Sequence, residues 1–178
     1  MKKVFLDDNV LYSGTSRSLF IWLHTNKVVE IYWSQPAWDE VFKNYGINNP
    51  EKDMSFRSSM KKNAIDKFNE CMVSLATHAP MGLKDKDDEH ILAAAVQSNC
   101  EYLLTNDLIL LSEALQAALT ITLMSPDDFL SEVAVKYASE SVRQSVEDHI
   151  NSLNSKPSKA DYLSSLNKSQ LTKFAAWL

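Results

Sequence analysis

Glycine is scarce in this chain: 3 in 178 residues, beside 5 prolines. So little glycine sets aside a Gly-rich all-β design, and the plentiful helix formers favour helices. Cysteine is rarer still. Cys71 and Cys100 stand in no CxxC or other metal-ligand spacing, so they read as reduced thiols of a cytosolic protein. Positive charge is not in excess, with 18 Lys and Arg against 23 Asp and Glu and a net charge of −5. The protein as a whole therefore does not draw in nucleic acid, and such a partner needs a local basic surface. No apolar run approaches the roughly 20 residues of a membrane span. The opening MKKVFLDDN has two lysines but no apolar stretch of the kind a signal peptide carries. The expectation is a soluble cytoplasmic protein without membrane contact. What is present, 45% hydrophobic and 23% charged residues, is the composition of an ordinary globular protein. The length suits one domain with an appendage and can bury a sizeable core without staples.

Strand-like and helix-like segments alternate. Val4–Leu6 is a short apolar run ending in Asp7-Asp8-Asn9 and predicts a first strand; residues 16–26 carry Leu19, Phe20 and Leu23 at helical spacing. VVEIYWS, residues 28–34, is β-branched and aromatic and predicts a second strand. Pro36 opens a helix to about Tyr45, with a loop over residues 46–50. Residues 53–77 read as one long helix with Met60, Ala64, Phe68, Cys71 and Leu75 on its apolar stripe. Asp88 opens a helix to about Asn99, EYLLT (101–105) is a strand, 108–119 a helix and 121–124 the last strand. This alternation predicts an α/β fold with a mainly parallel sheet. Ser125-Pro126-Asp127-Asp128 then starts a helix running to about Leu153, and a final helix covers about Ala160 to Leu178 after a break at Pro157. The division expected is a domain over 1–124 and a helical C-terminal extension over 125–178.

The stretch KDKDDEHILAAA, residues 84–95, packs Asp85, Asp87, Asp88 and Glu89 ahead of an apolar helix. A calcium loop starting at Asp85 would require Gly sixth and Glu twelfth, where His90 and Val96 stand. A solvated helix N-terminus, with Asp87 or Asp88 as cap and Glu89 on the dipole, accounts for one or two of the acids. Other acids fall at corresponding places. Asp7 follows the first strand, Asp107 follows EYLLT, and Glu40 sits in the first turns of the helix after VEIYWS. In open α/β sheets, sites form at the carboxyl ends of the strands. Two bare carboxylates ~4 Å apart repel by about 4 kcal/mol at an effective dielectric near 20, so such a cluster raises its pKa values or recruits a divalent cation.

These residues carry a family resemblance. VFLDDNVLYSG resembles the L-D-x-N-V-L opening of PIN domains, SQPAWDEV their second acidic segment, DKDDEHILAAA their D-x-D-D-x-H-x-L-A-A-A, and LLTND their T-x-D or T-x-N. The ordered set spans residues 3–124. It implies a PIN-like three-layer α/β/α fold and a metal-dependent ribonuclease in which Asp7, Glu40, Asp88 and Asp107 hold Mg²⁺ or Mn²⁺. Asn9 and Thr105 would support them. Asp8, where the family usually has Thr, adds a fifth carboxylate; Asn106 precedes Asp107, so either can face the site. Hydrolysis would leave 5′-phosphate and 3′-hydroxyl ends. The sequence is most similar to VapC-like toxins of type II toxin–antitoxin systems, and the helical tail resembles an extension found in one branch of them. That similarity implies a small antitoxin partner, a homodimer, and tRNA or another structured RNA as target.

RNA approaching an acidic cleft needs a basic rim. Arg57, Lys61 and Lys43 are the candidates, with Lys62 and Lys67 behind them; ordinary solvated helix charges are the plainer reading. Trp38 could stack a base, pack in the core or face an antitoxin. His90 reads as a packing residue, and His24, His78 and His149 have no ligand partners in sequence. A receiver domain would need an Asp ending its third strand and a Lys after its fifth. A haloacid-dehalogenase-like phosphatase would need Asp where Asn9 stands. Beside the toxin reading stand a PIN-fold binding module with little catalysis and a nuclease of RNA processing.

Overall fold

Lys2–Leu6 form the central strand, β1, and its last three side chains, Val4, Phe5 and Leu6, are fully buried. A strand covered on both faces needs an unbroken apolar run, which VFL supplies. The computed structural model describes residues 1–51, 55, 58, 69–74, 83, 86, 88–110, 121–137 and 139–178. Four further strands, β2 (Val29–Ser34), β3 (Met72–Val73), β4 (Tyr102–Leu104) and β5 (Thr122–Met124), complete a sheet of order β3-β2-β1-β4-β5. Every pairing is parallel; Val4 registers with Ile31 on one side and Tyr102 on the other. With its flanking helices this is the three-layer α/β/α arrangement expected, followed by a helical C-terminal part. β1 lies between β2 and β4, so the chain leaves it first to one side and later to the other. Its carboxyl end is the switch point of the sheet.

Among the described residues the helices are α1 (Asp8–Tyr12), α2 (Gly14–Thr25), α3 (Gln35–Asn48), α4 (Glu89–Gln97), α5 (Pro126–Lys136), α6 (Ser139–Ser152), α7 (Lys159–Lys168) and α8 (Thr172–Trp177). Several differ from the sequence expectation. A separate turn, α1, precedes α2, because Asp7 caps it and Ser13 then restarts the helix by accepting from the Ser16 N–H at 3.2 Å. α3 continues through Gly46 to Asn48 instead of ending near Tyr45. One helical glycine costs only about 1 kcal/mol, and the stop comes where the Asn49 side chain closes on the Tyr45 carbonyl at 3.0 Å. The long helix expected over 53–77 does not reach its end: Asn69–Cys71 is a 3₁₀ turn and Met72–Val73 pairs with Trp33 and Ser34 at the sheet edge. Met60, Ala64, Phe68 and Leu75 lie outside the described residues, as do Arg57, Lys61, Lys62, Lys67, His78, Asp85 and Asp87. The helix expected to run to Leu153 is two, α5 and α6, and the last helix is also two. The second break falls at Gln170, which takes a φ of 61°.

Scarce glycine shows at these helix ends. The left-handed positions usually given to glycine are held by Lys27, Asn99, Lys156 and Gln170. Trp38 is a core residue: it is buried, stands edge-on to Trp33 at 5.8 Å, stacks on Phe42 at 5.2 Å and carries the Arg17 guanidinium over its ring at 5.6 Å.

The C-terminal helices share one core with the sheet. Phe129 of α5 stacks with Phe20 of α2 at 6.5 Å and meets Tyr102 of β4 edge-on at 5.1 Å. Asn26 donates to Ser145 and Asp148 of α6, at 3.1 and 2.8 Å. Asp127, itself buried, accepts from the backbone N–H groups of Lys173 and Phe174 at 3.0 and 2.9 Å and so caps α8.

Inside this tail, His149 is buried with its Nδ1 2.9 Å from the Tyr162 hydroxyl, and burial pushes its pKa down to about 4. The unfolded chain takes up this proton below about pH 6.5 and the folded chain only near 4. Between those values the unfolded state binds more protons, so stability falls as pH falls. A loss on the order of 2 kcal/mol across that window is expected from this one group. Urea midpoints from pH 7 to 4, compared with His149→Gln, check it: the substitution should flatten the acid side of the profile.

Candidate active site at the carboxyl edge of the sheet

Asp7 continues β1, its N–H donating to the Leu104 carbonyl at 3.1 Å, and its side chain turns back to cap α1. Its Oδ1 accepts from the Asp8 N–H at 2.7 Å; its Oδ2 accepts from Asn9 Nδ2 at 2.5 Å and from the Thr105 hydroxyl at 2.6 Å. Thr105, fully buried just past β4, also accepts from Asn9 Nδ2 and from the Asp107 N–H, both at 2.9 Å. Asn9 Oδ1 accepts from the Asn106 N–H at 3.0 Å. One network thus ties the carboxyl ends of β1 and β4 together and fixes Asp7 and Asp107 on either side of Thr105.

Asp107 is half-buried. Its Oδ1 accepts from the N–H groups of Ile109 and Leu110 at 2.7 and 3.0 Å, capping the helical turn at 108–110, which leaves Oδ2 as the oxygen turned away from the cap. Glu40 is half-buried on α3, which packs against α1, and the exposed Lys43 follows it by three residues on the same helix. Asp88 stands at the N-terminus of α4, half-buried, and makes no side-chain cap to its own helix. Glu89, expected to serve the helix dipole from solvent, is instead buried and paired with Lys86 Nζ at 2.8 Å.

The electrostatics single out Asp7. It is 2% exposed, and among the described residues it pairs with no Lys, Arg or His. Burial first, and the charge of Asp8 second, push its pKa up to about 8, against the pull of its hydrogen-bond donors. A buried carboxylate held by neutral donors and lacking a cation among the described residues is a fit for a hard divalent ion, since the oxygen donors of Asp7 and Asp107 match that chemistry.

The one described trio of His, Cys, Asp or Glu with ligand atoms within 4.8 Å of one another is His24, Glu70 and Cys71, away from this edge. His24, which the sequence left without a partner, has its Nε2 3.6 Å from Cys71 Sγ. Its Nδ1 accepts from the Ile31 N–H at 3.4 Å, so the neutral ring carries its proton on Nε2, facing the sulfur. A metal at Nε2 would need the opposite tautomer. Burial also pushes the Cys71 thiol up to about 11. His24 and Cys71 read as a packed hydrogen-bonded pair, with the exposed Glu70 beside them. The four acids do not gather as tightly among the described residues, in line with the repulsion between unneutralised carboxylates.

A parallel α/β sheet with carboxylates at its switch point is a frame in which a metal-dependent site can form. The chain belongs to the PIN domain family, whose pattern matches residues 3–108. PIN domains are generally nucleases that use divalent metals and bind RNA. No curated protein and no solved structure matches the chain significantly. Among the described residues no helix is long and apolar enough to cross a membrane.

Proposed function

We propose that the chain is a Mg²⁺- or Mn²⁺-dependent ribonuclease, the VapC-like toxin of a type II toxin–antitoxin pair, cutting tRNA or another structured RNA in the cytoplasm. The observation that carries the reading is the buried Asp7 carboxylate at the switch point, held by Asn9 and Thr105 and compensated by no cation among the described residues. Asp7, Glu40, Asp88 and Asp107 would hold the ion. The ion, when bound, activates water and offsets charge on the phosphate. Asn9 and Thr105 keep the Asp7 oxygens in one orientation, and Thr105 sets Asp107 by taking its N–H. Asp8 adds negative charge beside Asp7. Lys43 offers a cation on the α3 side for the RNA backbone, with Arg57 and Lys61 as further candidates from sequence.

Residues 1–124 would form the nuclease domain and 125–178 the extension. A small antitoxin would neutralise the site by presenting an Arg or Lys to the acids, and the toxin would act as a homodimer. The test is incubation of the purified chain with total RNA and a tRNA pool in Mn²⁺. Discrete fragments with 5′-phosphate ends are expected, and EDTA should abolish them. Intact RNA, with the ion shown to bind by calorimetry, would reassign the protein to a binding module.

A further inference from the structure

Beside the acids, an open pocket of about 220 Å³ lies between α1 and α3, lined by Asp8, Asn9, Tyr12, Asn44 and Asn48. We infer that this pocket seats one unpaired base of the RNA, guanine by preference, next to the bond that is cut. This inference rests on the ribonuclease reading.

Position is the first ground. Asp8 and Asn9 follow Asp7 directly, and Asn9 donates to it, so a ligand in the pocket touches the residues that hold the catalytic carboxylate. On the other wall, Asn44 and Asn48 continue the helical row that begins at Glu40, each one turn further along α3. The pocket is thus the outward extension of the acidic edge.

Chemistry is the second ground. None of the described lining residues is cationic, and one is a carboxylate, so the pocket repels a phosphate. Its side chains are three amides, a phenol and an acceptor-only carboxylate, a set suited to a neutral polar heterocycle. Tyr12 supplies a ring held from two directions: its hydroxyl accepts from Asn48 Nδ2 at 3.0 Å and its ring packs on Tyr45 at 6.4 Å. Single-stranded RNA is read by seating bases on aromatic faces and bonding their edges. The carboxylate of Asp8 decides between bases. Guanine presents two adjacent donors, N1–H and the 2-amino group, which a carboxylate can accept together, with O6 and N7 left for the amides of Asn44 and Asn48. Adenine and cytosine offer one amino group and uracil one ring N–H.

Asn44 and Asn48 are exposed on α3, so alanine there leaves the fold intact. The experiment measures binding, so that its result does not depend on cleavage. Fluorescein-labelled pentaribonucleotides UUGUU, UUAUU, UUCUU and UUUUU are titrated by anisotropy into the full chain carrying Asp7→Asn, alone and with Asn44→Ala or Asn48→Ala added. The G pentamer should bind about tenfold tighter than the U pentamer, and each added substitution should cut that ratio to about threefold or less. Equal affinity for the four pentamers, no binding of any, or a guanine preference that survives both substitutions overturns the inference. Failure of the ribonuclease reading appears separately, as intact RNA with the native chain in Mn²⁺, and leaves the pentamer ranking readable.

Discussion

Asp7→Asn is expected to lower metal-dependent RNA cleavage by about a thousandfold or more, a loss of roughly 4 kcal/mol in transition-state stabilisation. The substitution keeps the shape of the side chain and removes its charge. The amide oxygen can still accept from Asn9 and Thr105, its NH2 then replaces the acceptor of the Asp8 N–H, and β1 and β4 stay joined by their backbone ladder. In EDTA the unfolding midpoint should therefore hold level or rise, because a buried carboxylate next to Asp8 is replaced by a neutral group. Added Mn²⁺ should separate the two proteins. An ion that binds only the folded state stabilises it by about 2.7 kcal/mol at a hundred times its dissociation constant. The native chain should show that rise and Asp7→Asn should not. Loss of both cleavage and the Mn²⁺ shift, with folding retained, ties the chemistry to Asp7. Retained cleavage would move it elsewhere.

The acids at strand ends were legible because one rule governs them: polar residues within the first few positions after a buried apolar run lie at the sheet edge. VFL before Asp7 and YLLT before Asp107 both obey it, and the bonds that join them run through Asn9 and Thr105. The wall formed by Asn44 and Asn48 was not legible. Polar residues one turn apart on a helix look like a solvated face until another helix is packed beside them, and Tyr12 comes from an α1 too short to leave a periodic signal. His24 and Cys71 are 47 positions apart, so no spacing joins them. β3 has two residues and takes its register from β2. Glu89 was misplaced for a related reason: its sequence neighbours are acidic, but the burial of α4 carries it inward, where Lys86 reaches it. The breaks at Tyr137 and Gln170 interrupt runs that read as continuous helix former, since what ends them is packing of α6 on α2 and of α8 on α5.

Phe129→Ala tests that packing, and a loss of about 3–5 kcal/mol in folding stability is expected. The ring is 2% exposed and stands between Phe20 of α2 and Tyr102 of β4. Removing it leaves a cavity that both partners border. Neither can close it, since Phe20 is fully buried in the core and the Tyr102 backbone is fixed in the ladder with β1 and β5. If the C-terminal helices were a loosely attached appendage, urea would melt them first and leave the sheet unchanged. With the shared core they should unfold together, in one transition whose midpoint falls while its slope holds. Two sets of tryptophans can follow the sheet and the tail separately: Trp33 and Trp38 sit in and against β2, and Trp177 ends α8 under Arg143. In a chain keeping Trp177 alone and another keeping Trp33 and Trp38, the two midpoints should coincide before and after Phe129→Ala. Against a total stability of about 5–15 kcal/mol for a domain of this kind, the lost term is about a fifth or more. Diverging midpoints, or a loss below about 1 kcal/mol, would show that residues 1–124 stand without the tail.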